Sequence, residues 1–427
     1  MSEQSVSLLN FDDVLPLPHR AGVFLQLGIC LWYTLVWVMY YGFQINCLAL
    51  LNFAYSSHKY TGDGQDIQAI SGEMATVSSA DLNENVILLQ GIRRTVTKTF
   101  TFTSAGLIFY WTCLLILPAT RTLEFASSTL PLILLLASLF TTFRKGTSLG
   151  QHRVNSTLKR ILVGKINSAT MRTNDILLSD SLTSYSKVIN DLVSFLWATF
   201  IPASASYNHK VEAFVLSYPA LIRVKQCWYE FKITGQTQHM LNLFKYAALL
   251  GPVIVNLLIK MSMESFPEGD SSQQLNSLNR WWYILSAISS TYLFIWDIKM
   301  DWGFEALDIF LRLNVGNTYI LRGPNKLIYK NYFGYYLVIL LDLLIRFVWV
   351  MKIFVIKETE IEMKLHNHVG NFLFGYDYLS FGFAMLEVLE IVRRWLWCFI
   401  KLESDVIKLQ LKDDFARGLP LANIKLN

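Results

Sequence analysis

The chain has 427 residues and a formal charge of only +5, with 53% apolar and 16% charged side chains. Soluble domains carry about 25% charged residues, so a soluble enzyme, a disordered chain and a secreted disulfide scaffold are all disfavoured. The small net charge, without a lysine-rich tract interleaved with aromatics, gives no support to a nucleic-acid partner.

Ahead of the first apolar run, Glu3, Asp12 and Asp13 outnumber Arg20. A cleavable signal wants positive charge there, so the first span is expected to be retained. Windows of about 20 mainly apolar residues, enough for some 30 Å of hydrocarbon, predict an all-α, polytopic transmembrane helical bundle of about nine spans. They run over 23–43, 100–118, 126–143, 176–201, 208–224, 240–259, 281–298, 331–356 and 371–400. The fifth is the weakest, because Glu212 and Pro219 interrupt it. The expected organisation is a short N-terminal segment (1–22), a first set of membrane helices (23–169) with a polar, flexible cytosolic insertion at about 55–99, a second set (170–410), and a cytosolic tail (411–427).

Basic residues orient such a bundle. With an odd count and a cytosolic C-terminus, the cytosol receives Arg93, Arg94 and Lys98, the run from Arg144 to Arg172, Arg223, Lys225 and Lys232, Lys299 to Lys330, and the tail lysines. The opposite side keeps Arg20, Arg121, Lys210, Lys260, Arg280, Lys357 and Lys364, together with the acidic loop of Glu264, Glu268 and Asp270. The N-terminus is then lumenal. The sequon at Asn155 falls in the most basic cytosolic loop and is expected to stay unmodified. Five cysteines without C-x-x-C spacing read as packed thiols. His366 and His368 are expected in a solvated loop, and no phosphate loop, nucleophile elbow or zinc frame occurs, so neither an enzyme nor a cofactor is expected.

An ionised side chain at the bilayer centre costs roughly 2.5–3.5 kcal/mol and usually faces a partner or a watery path. Asp180, Lys187 and Asp191 fall in the fourth span, Lys245 in the sixth, Asp297 in the seventh, Asp342 and Arg346 in the eighth, and Asp377, Glu387, Glu390, Arg393 and Arg394 in the ninth. Asp342 with Arg346, and Glu390 with Arg394, stand at i,i+4, so each can be a private pair that only makes insertion tolerable. The alternative is that Lys245, Arg346, Arg393 and Arg394 surround a tetrahedral oxyanion, for which guanidinium forks are well shaped. Facing Asp180, Asp297 and Glu390, they leave an excess of about one positive charge, which suits an anion that must also leave. Trp349, one turn after Arg346, is placed to pack beside such a path, as a belt residue or a gate. Asp297 and Asp301, also i,i+4, repel unless a cation lies between them; they read as a water-exposed helix-end pair or as a pair that positions the basic cluster.

These charges sit in strings that resemble the EXS family: Asp180 to Ser184, Arg223 to Cys227, His239 to Tyr246, Trp296 to Gly303, Leu321 to Gly323, Arg346 to Trp349, and Leu389 to Trp397 followed by Glu403. The resemblance covers about 170–410. It implies an anion pathway, as in the family's phosphate exporters, using Asp180, Lys245, Tyr246, Asp297, Asp301, Arg346, Trp349, Glu390, Arg393 and Arg394 as substrate-binding residues. The segment Ile400 to Asp405 departs from the family's usual arginine and two glutamates but keeps the charges. The 22 residues before the first span are too few for the SPX domain of those exporters. The Leu15 to Pro18 string further resembles the short, SPX-free branch typified by yeast ER-retention proteins of the Golgi membrane. That likeness implies a multi-pass Golgi protein returning inorganic phosphate from lumen to cytosol, in support of glycosylation and retention of lumenal ER proteins. The rival expectation is a non-transporting sorting protein that recruits retrieval machinery through cytosolic loops or tail. Expected partners are inorganic phosphate and the lipid bilayer, with a homodimer and the Golgi retrieval machinery as further ones.

Overall fold

The computed structural model describes residues 11–43, 45, 51, 79–116, 121–143, 149–167, 172–201, 206–265, 272–306, 320–323, 326–355, 365–374 and 380–416. Among these, every regular element is helical. After a single turn at Phe11–Val14, α1 spans Leu17–Trp37 and runs on through a π-helical turn at Val38–Gly42. Then come α2 (Ser79–Ile116), α3 (Leu130–Phe143), α4 (Leu149–Leu162), α5 (Arg172–Ser184), α6 (Ser186–Phe200), α7 (His209–Thr234) and α8 (Thr237–Ser265). The rest are α9 (Ser272–Trp296), ending in a π-helical turn at Asp297–Asp301, α10 (Tyr332–Arg346), ending in a 3₁₀ turn at Val348–Phe354, α11 (Leu365–Phe374) and α12 (Phe381–Ala416).

Four stretches are long and apolar enough to cross a bilayer: Leu17–Gly42, Leu89–Ile116, Arg121–Thr141 and Thr237–Ser265. Lipid-ready side chains such as Leu115, Phe140, Ile254 and Leu344 lie exposed around the bundle. Most of the charges predicted to lie in the membrane fall on the remaining helices, which lowers their hydropathy. Three predicted windows are divided. The one at 176–201 breaks at Tyr185 between α5 and α6, the one at 331–356 changes at Arg346 from α to 3₁₀ geometry, and the one at 371–400 falls on the end of α11 and the first part of α12.

Other expectations change as well. Residues 79–99, taken as part of a flexible insertion, are the first turns of α2, while 55–78 lie outside the described residues. α7 continues ten residues past the predicted end at 224, and α12 runs through 411–416, the start of the expected tail. Asn155 lies within α4, and His366 and His368 are in α11 instead of a loop. Cys30, Cys113, Cys227 and Cys398 are free thiols, the last three buried. Glu268, Asp270 and Asp377 lie outside the described residues.

Local chemistry sets the ends that matter. Asn208 caps α7, its side chain accepting from the Lys210 amide at 2.9 Å, and Gly235 at φ +67° lets the chain turn straight into α8. Gly303 at φ +68° does the same after the π turn, where the Trp302 and Phe304 amides return to the carbonyls of Asp297 and Ile298. The helices then pack as neighbours: α7 on α8, α8 on α9, α1 on α2, α6 and α12, and α12 on α5 and α10. The buried apolar core joins Leu35 and Met39 of α1 to Trp302, Tyr335 and Trp397. Gly28 of α1 is a close-approach position, because a Cβ there would stand 1.5 Å from the Tyr185 hydroxyl.

Candidate functional site

The intramembrane charges converge. Asp180 of α5 is 2% exposed and accepts a 2.5 Å hydrogen bond from the Tyr246 hydroxyl of α8, while the Arg223 Nε of α7 lies 2.7 Å from the same oxygen. Arg223 also covers the Tyr246 ring at 4.8 Å and donates to Gln226 at 2.6 Å. Lys245, next to Tyr246, is buried between the Tyr246 and Trp296 rings at 4.5 and 5.3 Å; its nearest carboxylate, Asp301, is 3.7 Å away.

A second knot ties α9, α10 and α12. Arg346 pairs with Asp297, and its Nε donates to Asp342 at 3.0 Å. Arg393 reaches Asp342 at 2.9 Å and grips Glu390 with two hydrogen bonds of 2.6 and 2.8 Å. The Glu390 carboxylate also accepts from Ser184 at 2.8 Å. Breaking a buried pair of this kind leaves an uncompensated charge and costs about 3–5 kcal/mol, so these contacts hold the three helices in register.

Arg394 differs. Its guanidinium donates to the hydroxyls of Ser184 at 3.1 Å and Thr183 at 3.3 Å and lies 4.7 Å over the Trp397 ring. Among the described residues, no carboxylate stands within ion-pair distance of it. It lines a narrow cavity with Ser181, Tyr185 and Cys398, which Gly28 and Leu31 of α1 also line.

All ten sequence-predicted site residues are in the described structure, and nine of them join one charged cluster. Trp349 stands at its edge in an aromatic group with Trp282 and Tyr283; its indole donates to Ser290 at 2.9 Å, and the Ser290 hydroxyl donates to the Arg346 carbonyl at 3.1 Å. Four expectations need correction. Glu390 pairs with Arg393 instead of Arg394, because the i,i+3 guanidinium reaches it in bidentate geometry. The Asp342–Arg346 pair forms but is shared with Arg393 and Asp297, so it is not private. The cluster has no excess positive charge, since Asp301, Asp342 and Arg223 belong to it and cations and carboxylates are matched. Asp297 and Asp301 are not a water-exposed pair. The wide π turn aims one at Arg346 and the other at Lys245 and Lys401, so that cations intervene where the carboxylates would repel.

Arg223, at the end of the predicted window 208–224 and counted with the cytosolic basic residues, is 1% exposed at the centre of the cluster. Its place in the Arg223 to Cys227 string was the available signal. Ser184, Thr183 and Ser290 were missed as ligands because hydroxyls in an apolar run cost little and raise no flag.

With this geometry in place, comparison with known proteins is informative. A match to the EXS family covers residues 15–407. The chain belongs to the EXS family. Its match begins before α1, so the first helix lining the cavity beside Arg394 falls inside the EXS-family range. Among curated EXS-family relatives, Protein ERD1 of Kluyveromyces lactis is 28% identical over 278 residues, 58% of this chain and 63% of the relative. Protein ERD1 of Saccharomyces cerevisiae is 25% identical over 247 residues, 58% of this chain and 59% of the relative. Solute carrier family 53 member 1 of Homo sapiens is 30% identical over 200 residues, 47% of this chain and 25% of the relative. The chain thus spans about three fifths of the length of the first two relatives and a quarter of the third.

Proposed function

We propose that this EXS-family protein is a Golgi membrane transporter that returns inorganic phosphate from the lumen to the cytosol, relieving the phosphate left by glycosylation and so supporting retention of lumenal ER proteins. The observation that carries the reading is Arg394, a buried guanidinium held by two hydroxyls and a ring with no carboxylate of its own. A phosphate oxygen replaces such hydroxyls readily, because an oxyanion makes the stronger, charge-assisted bond. Lys245 is the second weakly held cation, and both lysine and arginine act on Asp180 and Asp297 across the same space. The remaining cations are already matched, which keeps the grip on the anion weak enough for release.

The test is phosphate flux by the purified protein in sealed liposomes. Arg394→Ala is expected to reduce flux by about tenfold or more, the worth of one charge-assisted contact of roughly 1.5–3 kcal/mol. It should leave thermal unfolding nearly unchanged, because it orphans no carboxylate. Arsenate, matching phosphate in shape and charge, should compete well, and sulfate, with no proton to offer Asp180 or Glu390, poorly. Undiminished flux in Arg394→Ala overturns the reading.

One observation favours a second role. α12 continues to Ala416, eight residues beyond Lys408, which gives the retrieval machinery a helical segment to bind. Truncation after Lys408 separates the roles: flux should persist while retention of ER proteins in cells is lost if the tail recruits partners.

A further inference from the structure

A separate group of buried charges lies one turn further along α12. Glu387 precedes Glu390 by three residues and so shares its helix face. It is 5% exposed and its Oε2 has no partner; α1, α6 and α12 pack together around Ala21, Val188, Ala384 and Val388, which brings its carboxyl alongside Asp191 of α6. Arg20 of α1, 1% exposed, donates to Asp191 at 3.0 Å, while its Nε and Nη1 have no partner. Two carboxyl groups brought together away from water favour sharing one proton, since like charges at close range do not both ionise readily. The Arg20 guanidinium on Asp191 favours its ionised form, which leaves Glu387 as the place for the proton.

The other groups facing the pair complete the picture. On α6, Lys187 stands one turn before Asp191, exposed and 5.6 Å over the Phe383 ring. The neighbouring Asn190 accepts from the Tyr207 hydroxyl at 2.9 Å, in the segment leading into α7. Burial first, then the carboxylates of Glu212 and Asp191, push that hydroxyl up to about 12, so Tyr207 stays neutral and senses the negative field. On α1, His19 turns away to the Ala126 carbonyl, and on α12, Glu390 is already taken by Arg393.

We propose that Asp191 and Glu387, clamped by Arg20, form a proton-binding site beside the anion cluster, and that phosphate passes when this site is protonated. The second half rests on the transport reading above. With the proton, Arg20, Lys187, Asp191 and Glu387 together carry one net positive charge, which attracts an anion approaching along α12. Without it they are neutral and Lys187 is drawn to Glu387. The ligand of this site is thus a proton.

Infrared difference spectroscopy of the purified protein across a pH titration reads the proton without any transport. The wild type should show a carbonyl stretch of a protonated carboxyl that Glu387→Gln removes and Asp191→Asn shifts in midpoint. No such band, or a band unchanged in Glu387→Gln, overturns the site. In liposomes, wild-type flux should fall by up to about tenfold per pH unit above the titration, the limit for one proton. Glu387→Gln, a neutral mimic of the protonated state, should keep the low-pH flux at all pH. The same pH dependence in Glu387→Gln overturns the linkage. A titrating Glu387 band together with no phosphate flux at any pH sustains the proton site and defeats the transport reading instead.

Discussion

The first three long helices, α1 to α3, turn Leu115, Ile116 and Phe140 outwards, while the charged half of the bundle turns Asp180, Arg223, Arg346 and Arg393 inwards. In the apolar half, hydropathy alone locates every span, and the lipid-facing residues are interchangeable with any others of similar size. In the charged half most helices fail the same measure, and there most buried cations, Arg394 excepted, meet a carboxylate on their own or another helix. The lesson is that in this membrane protein a poor hydropathy score marks the helices whose charges find one another.

The contrast predicts unequal sensitivity to substitution. Arg393→Ala should be the most damaging, since it strips Asp342 and Glu390 of a shared cation; thermal unfolding in detergent should register a loss of about 3–5 kcal/mol. A loss under about 1 kcal/mol would mean that the knot of α9, α10 and α12 is looser than its distances indicate. Gly28→Ala probes the seam between the halves. The new methyl group must drive Tyr185 away from α1 and towards Arg394, and a loss of about 1–3 kcal/mol is expected, together with altered phosphate affinity. Leu115→Ala, on a side chain 79% exposed to lipid, should change stability by no more than about 0.5 kcal/mol. A large effect there would expose a protein partner on that face.

The all-helical fold and the converging charges were legible because a charge in an apolar run is conspicuous. Asp180, Lys245, Arg346 and Arg394 could be picked on that ground before any geometry was available. Arg223 was not, since it falls at the end of the apolar window, which its helix outlasts by ten residues, and was counted with the cytosolic basic residues. The break at Tyr185 was also hidden: no proline or glycine marks it, and the Tyr185 ring meets Gly28 on a helix far away in sequence. Pairing rules drawn from one helix gave Glu390 to Arg394, where the three-dimensional neighbourhood gives it to Arg393 and Ser184. Local spacing names the candidates; partners on other helices decide who is matched and who is left over.

α12 has 36 residues and no proline, and its lone glycine, Gly382, sits at the first turn. At 1.5 Å per residue it is a straight rod of about 54 Å, against some 30 Å of hydrocarbon. Glu387, Glu390 and Arg394 ride on one part of it, and further along Glu403 clasps Arg322, Tyr335 and the amides of Ile328 and Tyr329. Two sets of buried charges some distance apart are thus fixed to one rigid element, so a displacement of α12 at Glu403 is expected to be carried to Glu390 and Arg394 without any contact between them.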